Sequence, residues 1–123
     1  MDYSSTVIEQ AVEKLRSLNY LNDETFARDW ARSKAENRGY GPERIAQELK
    51  TKGIPETLAR QVVGEVFVPG QEVARAKMLL DRRFKDQQFN DPKTLRRAIS
   101  LLQRLGYGDP VIAKLLKVPL GAE

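Results

Sequence analysis

The chain has 123 residues, 41% hydrophobic and 31% charged, a composition typical of a single globular domain or a short repeat array. It contains no cysteine and no histidine, which excludes disulfides, Cys/His zinc sites, cysteine nucleophiles and Ser-His-Asp triads. The net charge of +4 is uneven, because residues 1–66 hold 10 basic and 11 acidic residues whereas residues 67–123 hold 11 basic and 6 acidic ones.

The first predicted helix runs from about residue 4 to residue 18. Its apolar residues recur at helical spacing, and no stretch of the chain alternates apolar and polar residues long enough to indicate a strand, so the fold class is predicted to be all-α. A break is predicted at Asn19-Tyr20-Leu21. The apolar stripe of this helix consists of Val7, Ile8, Ala11, Val12, Leu15 and Leu18.

The second predicted helix begins after a cap at Asn22 or Asp23 and ends before Gly39. Its spacing predicts an inward face that holds Phe26, Trp30, Ser33 and Asn37.

Five further helices follow, and proline or glycine marks most of their ends. Together with the first two they give about seven helices. Their predicted limits are Pro42 to Gly53, Pro55 to Pro69-Gly70, then about residue 70 to Gln87-Gln88, Asp91 to Gly106, and Asp109 to about Lys117.

One spacing occurs three times, at intervals of 51 and 53 residues. Tyr3, Ile54 and Tyr107 each precede apolar residues at +4, +5, +8 and +9. Amphipathic helices of similar length can share such spacing by chance, but a three-helix repeat of about 50 residues explains all three occurrences. We therefore expect tandem three-helix repeats in an elongated curved array. The predicted division is residues 1–22 (the closing helix of an incomplete first repeat), 23–68 (a second repeat) and 69–123 (a third).

Basic side chains are predicted to line the helix sides opposite the apolar stripes, at 100° per residue. Such charges often form only a solvated face. Because the pattern recurs on three helices and the C-terminal half is basic, we expect it to bind a polyanion or an acidic partner surface. The candidate residues are Arg28 and Arg32 in the second helix, Arg75 and Arg82 in the fifth, and Lys93, Arg97 and Arg104 in the sixth.

Catalysis finds little support in the sequence. Asp23-Glu24 and Asp29 fit helix capping and the helix dipole. Gly39-Tyr40-Gly41 lacks the lysine and hydroxyl of a phosphate-binding loop and is predicted to be a corner between helices. We expect neither an enzyme nor a metal or cofactor.

One set of residues forms a pattern specific to a known protein family. The set is Tyr20 to Arg28, Arg32-Ser33, Gly39 to Pro42, Arg44-Ile45, Glu48-Leu49, Lys52 to Ile54, and Leu105 to Tyr107 with Val111-Ile112. This pattern resembles the RecX regulatory protein family, and the resemblance extends over essentially the whole chain. Asn19 stands where glycine is expected. The chain begins where the closing helix of the family's first repeat begins, so we expect that repeat's first two helices to be missing.

The resemblance implies a non-catalytic regulator built from three-helix units. Such a protein binds the RecA nucleoprotein filament, restrains its ATPase and strand-exchange activities in recombination and DNA repair, and also binds DNA. It also implies a cytoplasmic location, in agreement with the absence of any apolar run near the ~18 residues of a membrane span.

The alternative is a stand-alone DNA-binding module of helix-turn-helix type or a transcription factor. That reading requires base-reading side chains at the start of the recognition helix, yet the helix after Gly41-Pro42 begins with Glu43-Arg44. We expect weak DNA binding without sequence preference, and self-association through the apolar face of residues 4–18.

Overall fold

The computed structural model describes residues 4–85 and 89–118, which form α-helices and no strand. The all-α prediction is confirmed. The described residues contain six helices, because the first two predicted helices are one. The helices are α1 (Ser5–Asn37), α2 (Pro42–Thr51), α3 (Glu56–Val66), α4 (Gln71–Arg83), α5 (Pro92–Leu105) and α6 (Asp109–Leu116).

Helix α1 is continuous through Asn19-Tyr20-Leu21, so the predicted break there is wrong, as are the caps at Asn22 or Asp23. No glycine or proline occurs between residues 5 and 37, and asparagine alone lowers helix propensity too little to end a helix. The N-terminus is capped instead by Ser4, whose Oγ accepts a hydrogen bond from the backbone N–H of Val7 at 3.3 Å.

The buried face of α1 consists of alanines, so the predicted inward face is also wrong. Ala27, Ala31 and Ala35 are buried, whereas Phe26 is 41% exposed and Trp30 is only partly buried. Three small side chains spaced four residues apart let α1 lie close to α2 and α3. The large aromatic rings therefore lie at the edge of the contact.

Among the described residues, two hydrophobic clusters form the core, one within the helical unit α1–α3 and one within the helical unit α4–α6. Phe67, in the connection between α3 and α4, packs against both. Ile54 and Tyr107 are both buried, as are most apolar residues that follow them at the shared spacing. Tyr3 lies outside the described residues, as does the predicted end of the fifth helix at Gln87-Gln88. The division at residues 22 and 68 stays a prediction.

The corner between α1 and α2 packs directly on the corner between α5 and α6. The backbone N–H of Gly41 donates to the carbonyl of Leu105 at 2.6 Å, and that of Glu43 donates to the carbonyl of Gly106 at 2.9 Å. The carbonyls at the end of α5 thus satisfy amides at the start of α2, where no side chain caps the helix. We call this contact the corner junction. It confirms that Gly39-Tyr40-Gly41 forms a corner.

The first half of α1 carries an exposed apolar face. At 100° per residue, Ile8, Leu15 and Leu18 lie about 140 to 160° around the helix from Ala31, so this face is turned away from the core that α1 shares with α2 and α3. The exposed residues are Val7, Ile8, Val12, Leu15, Leu18 and Leu21, between 41% and 60% accessible.

We expect this apolar face to cause self-association that depends on concentration. Sedimentation equilibrium should show dimers whose population rises with concentration. Ile8→Glu combined with Leu15→Glu should give a monomer, since charges at these positions oppose burial. Met78→Glu, at an equally exposed apolar residue on α4, serves as the control. A strict monomer at high concentration would contradict the prediction.

Candidate binding surface

Three clefts between helices carry six of the seven basic residues that the sequence singles out. The first cleft lies between α1, α3 and α4 and has a volume of about 200 Å³. The second lies between α1 and α4 and has a volume of about 220 Å³. The third lies between α4 and α5 and has a volume of about 390 Å³. Because Arg75 lines the first two clefts and Arg83 the last two, we call the three together the basic track.

The third cleft is lined by four arginines and by no acidic residue among those described. All four are exposed, and none lies within ion-pair distance of a described carboxylate. Phe84 and Leu101 are apolar residues of its lining, and the guanidinium of Arg97 lies 5.9 Å from the centre of the Phe84 ring. The four are Arg83 of α4 with Arg96, Arg97 and Arg104 of α5.

The second cleft has arginines on both walls. Arg38 follows the end of α1, and Arg75, Arg82 and Arg83 project from α4. Glu36 is the one acidic residue among the described lining residues. The cleft therefore holds more positive than negative charge.

Arg28 forms ion pairs with carboxylates of the protein itself. Its Nε lies 2.9 Å from Glu65 of α3 and its Nη1 lies 2.9 Å from Glu24 one turn earlier in α1. The hydrogen bond from Arg28 holds the pKa of Glu65 below its usual value, and the two carboxylates raise the pKa of Arg28. Arg28 lies beside buried Ala27 instead of opposite the core, because α1 buries its alanines. Arg32 is exposed and lines the same cleft.

Arg75 lies between the two helical units. The prediction that places it on an open helix face is wrong. It is partly buried, and its guanidinium lies 5.7 Å from the centre of the Phe67 ring. Its Nε is buried and has no hydrogen-bond acceptor among the described residues. A buried donor without an acceptor is unfavourable, so this position carries an energetic cost.

Lys93 is exposed at the start of α5 and does not belong to the lining of the three clefts. Conversely, Arg38, Arg83 and Arg96 line the basic track although sequence reasoning missed them. The adjacent pairs Arg82-Arg83 and Arg96-Arg97 carried a signal. Projection of one helix at a time does not show which neighbouring helix a side chain faces.

Tyr107 belongs to both the second cleft and the corner junction. Its hydroxyl donates to the backbone carbonyl of Gly39 at 3.3 Å, and burial raises its pKa to about 12. It is therefore neutral at physiological pH and adds no negative charge to the cleft.

Residues 4–85 and 89–118 contain no cluster of acidic side chains arranged for a metal ion. Within the same ranges, no helix has both the length and the apolar content of a membrane span.

Comparison with known proteins identifies the family to which the chain belongs. Residues 22–63 match the family model described as "RecX, second three-helix domain". A "Regulatory protein RecX" from Trichlorobacter lovleyi is 34% identical over 117 residues, which are 94% of this chain and 76% of that protein. This chain belongs to the RecX family. The matched segment begins inside α1 and covers α2 and most of α3.

Other RecX proteins match over similar lengths. That of Syntrophotalea carbinolica is 35% identical over 113 residues, covering 89% of this chain and 73% of that protein. That of Mycobacterium leprae is 29% identical over 123 residues, covering 98% and 71%. None of these three RecX proteins carries an enzyme name. No solved structure matches the chain significantly.

Proposed function

We propose that this RecX-family chain is a non-catalytic regulator that binds the RecA nucleoprotein filament and restrains its ATPase and strand exchange. Family membership is the observation that carries the proposal, since the RecX relatives are named regulatory proteins. The basic track supports it, because it provides a positive surface across both helical units.

The track suits a filament that presents both phosphates and acidic side chains. All nine of its described cations are arginines, whose planar guanidinium groups bind carboxylates and phosphates through two parallel hydrogen bonds. Seven of the nine are exposed, whereas Arg28 and Arg75 are partly buried. Arg28 is also paired with Glu24 and Glu65 within the protein.

The position of α2 speaks against a helix-turn-helix transcription factor. A recognition helix places its N-terminal residues in the major groove. Here Gly41 and Pro42 are buried, and the end of α5 lies against the start of α2. DNA would have to displace α5 to reach those residues.

The proposal is tested with RecA filaments formed on DNA. The chain should co-sediment with the filaments and lower their DNA-dependent ATPase in proportion to its concentration. Parallel experiments with RecA alone and with DNA alone separate protein contacts from DNA contacts. Absence of both co-sedimentation and ATPase inhibition would contradict the proposal.

We expect binding to DNA alone to be weak, indifferent to sequence and steeply dependent on salt, because guanidinium–phosphate contacts dominate. Arg104→Ala should lower the slope of log K against log salt by about one. Lys114→Ala on α6 should leave the slope unchanged, since Lys114 lies outside the basic track. Recovery of a defined duplex motif by selection would favour the transcription-factor alternative.

A further inference from the structure

We infer that a recess beside Trp30, between α1 and α2, is a docking site for an acidic segment of a partner protein that carries an apolar side chain among its carboxylates. The recess has a volume of about 350 Å³. We call it the tryptophan recess, and its described lining consists of Trp30, Gln47, Glu48, Thr51 and Lys52. The inference goes beyond the proposed function and does not rest on it.

The tryptophan recess lies on the other side of α1 from the basic track. At 100° per residue, Trp30 and Arg32 are separated by about 160° around the helix axis. None of the five described lining residues of the recess also lines one of the three clefts. The recess is therefore a separate surface, and it can take a partner of its own.

Two lysine ammonium groups lie against the ring of Trp30. The Nζ of Lys34 is 4.4 Å from the centre of this ring, and the Nζ of Lys52 is 4.3 Å from it. Neither lies within ion-pair distance of a described carboxylate. Like charges held beside one ring repel each other, so a carboxylate that contacts both would relieve the repulsion. The charge at this place therefore complements an acidic partner.

Glu48, the one acidic residue of the described lining, already has partners within the protein. The Nε1–H of Trp30 donates to its Oε1 at 3.0 Å, and the Nε of Arg44 lies 3.6 Å from its Oε2. The charge of Glu48 is thus largely offset and opposes an incoming carboxylate only weakly. The same hydrogen bond fixes the orientation of the indole, which lowers the entropy cost of binding.

The aromatic side chains supply the apolar part of the site. Phe26 stacks on Trp30 with 5.7 Å between the ring centres, although Phe26 is 41% exposed. Aromatic residues are enriched at the centres of protein–protein interfaces. The volume of the recess is near the lower end of the range of about 300–1,000 Å³ for ligand pockets. This size suits a peptide side chain with its neighbouring backbone.

A nucleic-acid base fits this site less well than a peptide does. Bases bind aromatic side chains by stacking on an open ring face. The ring of Trp30 is already covered by Phe26 and by the ammonium groups of Lys34 and Lys52. An apolar side chain can enter the recess while these contacts remain in place.

The fluorescence of Trp30 tests the inference, because it is the only tryptophan in the chain. The probe is the peptide Glu-Glu-Leu-Glu-Glu with blocked ends. It should shift the emission to shorter wavelength in a saturable manner, since the leucine would displace water from the indole. Replacing leucine by serine should raise Kd by about tenfold. Replacing the four glutamates by glutamine should have an effect of about the same size.

Variants of the chain separate charge from apolar contact. Lys34→Gln combined with Lys52→Gln should raise Kd for the peptide by about tenfold, with unchanged circular dichroism. Phe26→Ala keeps the charge and should raise Kd by about threefold or more, because it removes the stacked ring. The control is Arg60→Gln combined with Lys114→Gln, which removes the same charge at exposed positions outside the recess and should keep the parent Kd.

Four results would overturn the inference. The first is no shift in emission at millimolar peptide, and the second is an equal Kd for the glutamine peptide. The third is an equal Kd for free glutamate, which would show a site for any small anion. The fourth is an equal saturable shift with oligothymidylate that the lysine variant loses, which would show a base-stacking surface instead of a peptide site.

Discussion

Arg97→Glu combined with Arg104→Glu is expected to abolish or sharply weaken the proposed restraint of RecA by this chain while leaving its fold intact. Both side chains are exposed and line the third cleft. The buried side of α5 consists of Ala98, Leu101 and Leu102. Exposed substitutions away from the core usually change stability by no more than about 0.5 kcal/mol, so the helices should persist.

The loss in binding should be far larger than that change in stability. Two positive charges are replaced by two negative ones opposite a phosphate or acidic surface, which should weaken the complex by several kcal/mol and mostly slow association. DNA-dependent ATPase of RecA is measured against increasing amounts of each variant, and circular dichroism checks the helical content.

The matched control is Arg60→Glu combined with Lys114→Glu. It makes the same change in net charge at exposed cations outside the basic track, so inhibition should stay close to that of the parent. If the Arg97/Arg104 variant folds and inhibits as well as the parent, the third cleft is not the contact surface.

Gly106→Ala is expected to cause the largest loss of stability among single substitutions at glycine. Gly106 has φ +98°, a conformation that costs other residues about 1–2 kcal/mol. An added Cβ would also overlap the Cβ of Arg44 and lie 2.5 Å from its backbone nitrogen. Since backbone cannot yield as a flexible side chain does, the corner junction would have to open. The free energy of unfolding should fall by about 3 kcal/mol or more.

Two other glycines separate the causes. Gly53 has a similar φ of +89° but open space around its Cβ position, so Gly53→Ala should cost only the conformational 1–2 kcal/mol or so. Gly64 lies within α3 and is also open, so Gly64→Ala should stabilise by about 0.5–1 kcal/mol. Chemical denaturation measures all three. A Gly106→Ala variant no worse than Gly53→Ala would show that the junction can adjust without loss.

The helix ends that were predicted correctly depend on local chemistry. Pro42 and Pro92 occupy the first turns of α2 and α5, and Gly106 ends α5 in the left-handed conformation, as sequence rules predict. The break at Asn19-Tyr20-Leu21 failed because it required a polar residue to end a helix that no glycine or proline interrupts. Local signals therefore locate ends well where the backbone itself is constrained.

The missed features depend on contacts between helices. Hydrophobic spacing predicts that Phe26 and Trp30 are buried in preference to Ala27. In the structure Ala27 is buried, because a small side chain lets the helices pack closely. In the same way, the pairing of Arg28 with Glu65 depends on how α1 lies against α3. The sequence indicated six of the nine arginines of the basic track but not Arg38, Arg83 and Arg96. Their assembly into three adjoining clefts depends on how α1, α3, α4 and α5 are arranged.

Because α1 is continuous, the side chains at its two ends have a fixed angular relation around the helix axis. A helix of 33 residues is about 50 Å long, and it resists twisting because every turn is hydrogen-bonded to the next. The exposed apolar face at one end and the arginines at the other therefore keep a constant rotational phase. One residue inserted near Asn19 would turn the apolar face by about 100° relative to Arg32, whereas an insertion of seven would almost restore it. α1 therefore fixes the orientation of its exposed apolar face with respect to Arg32 and the clefts at its other end.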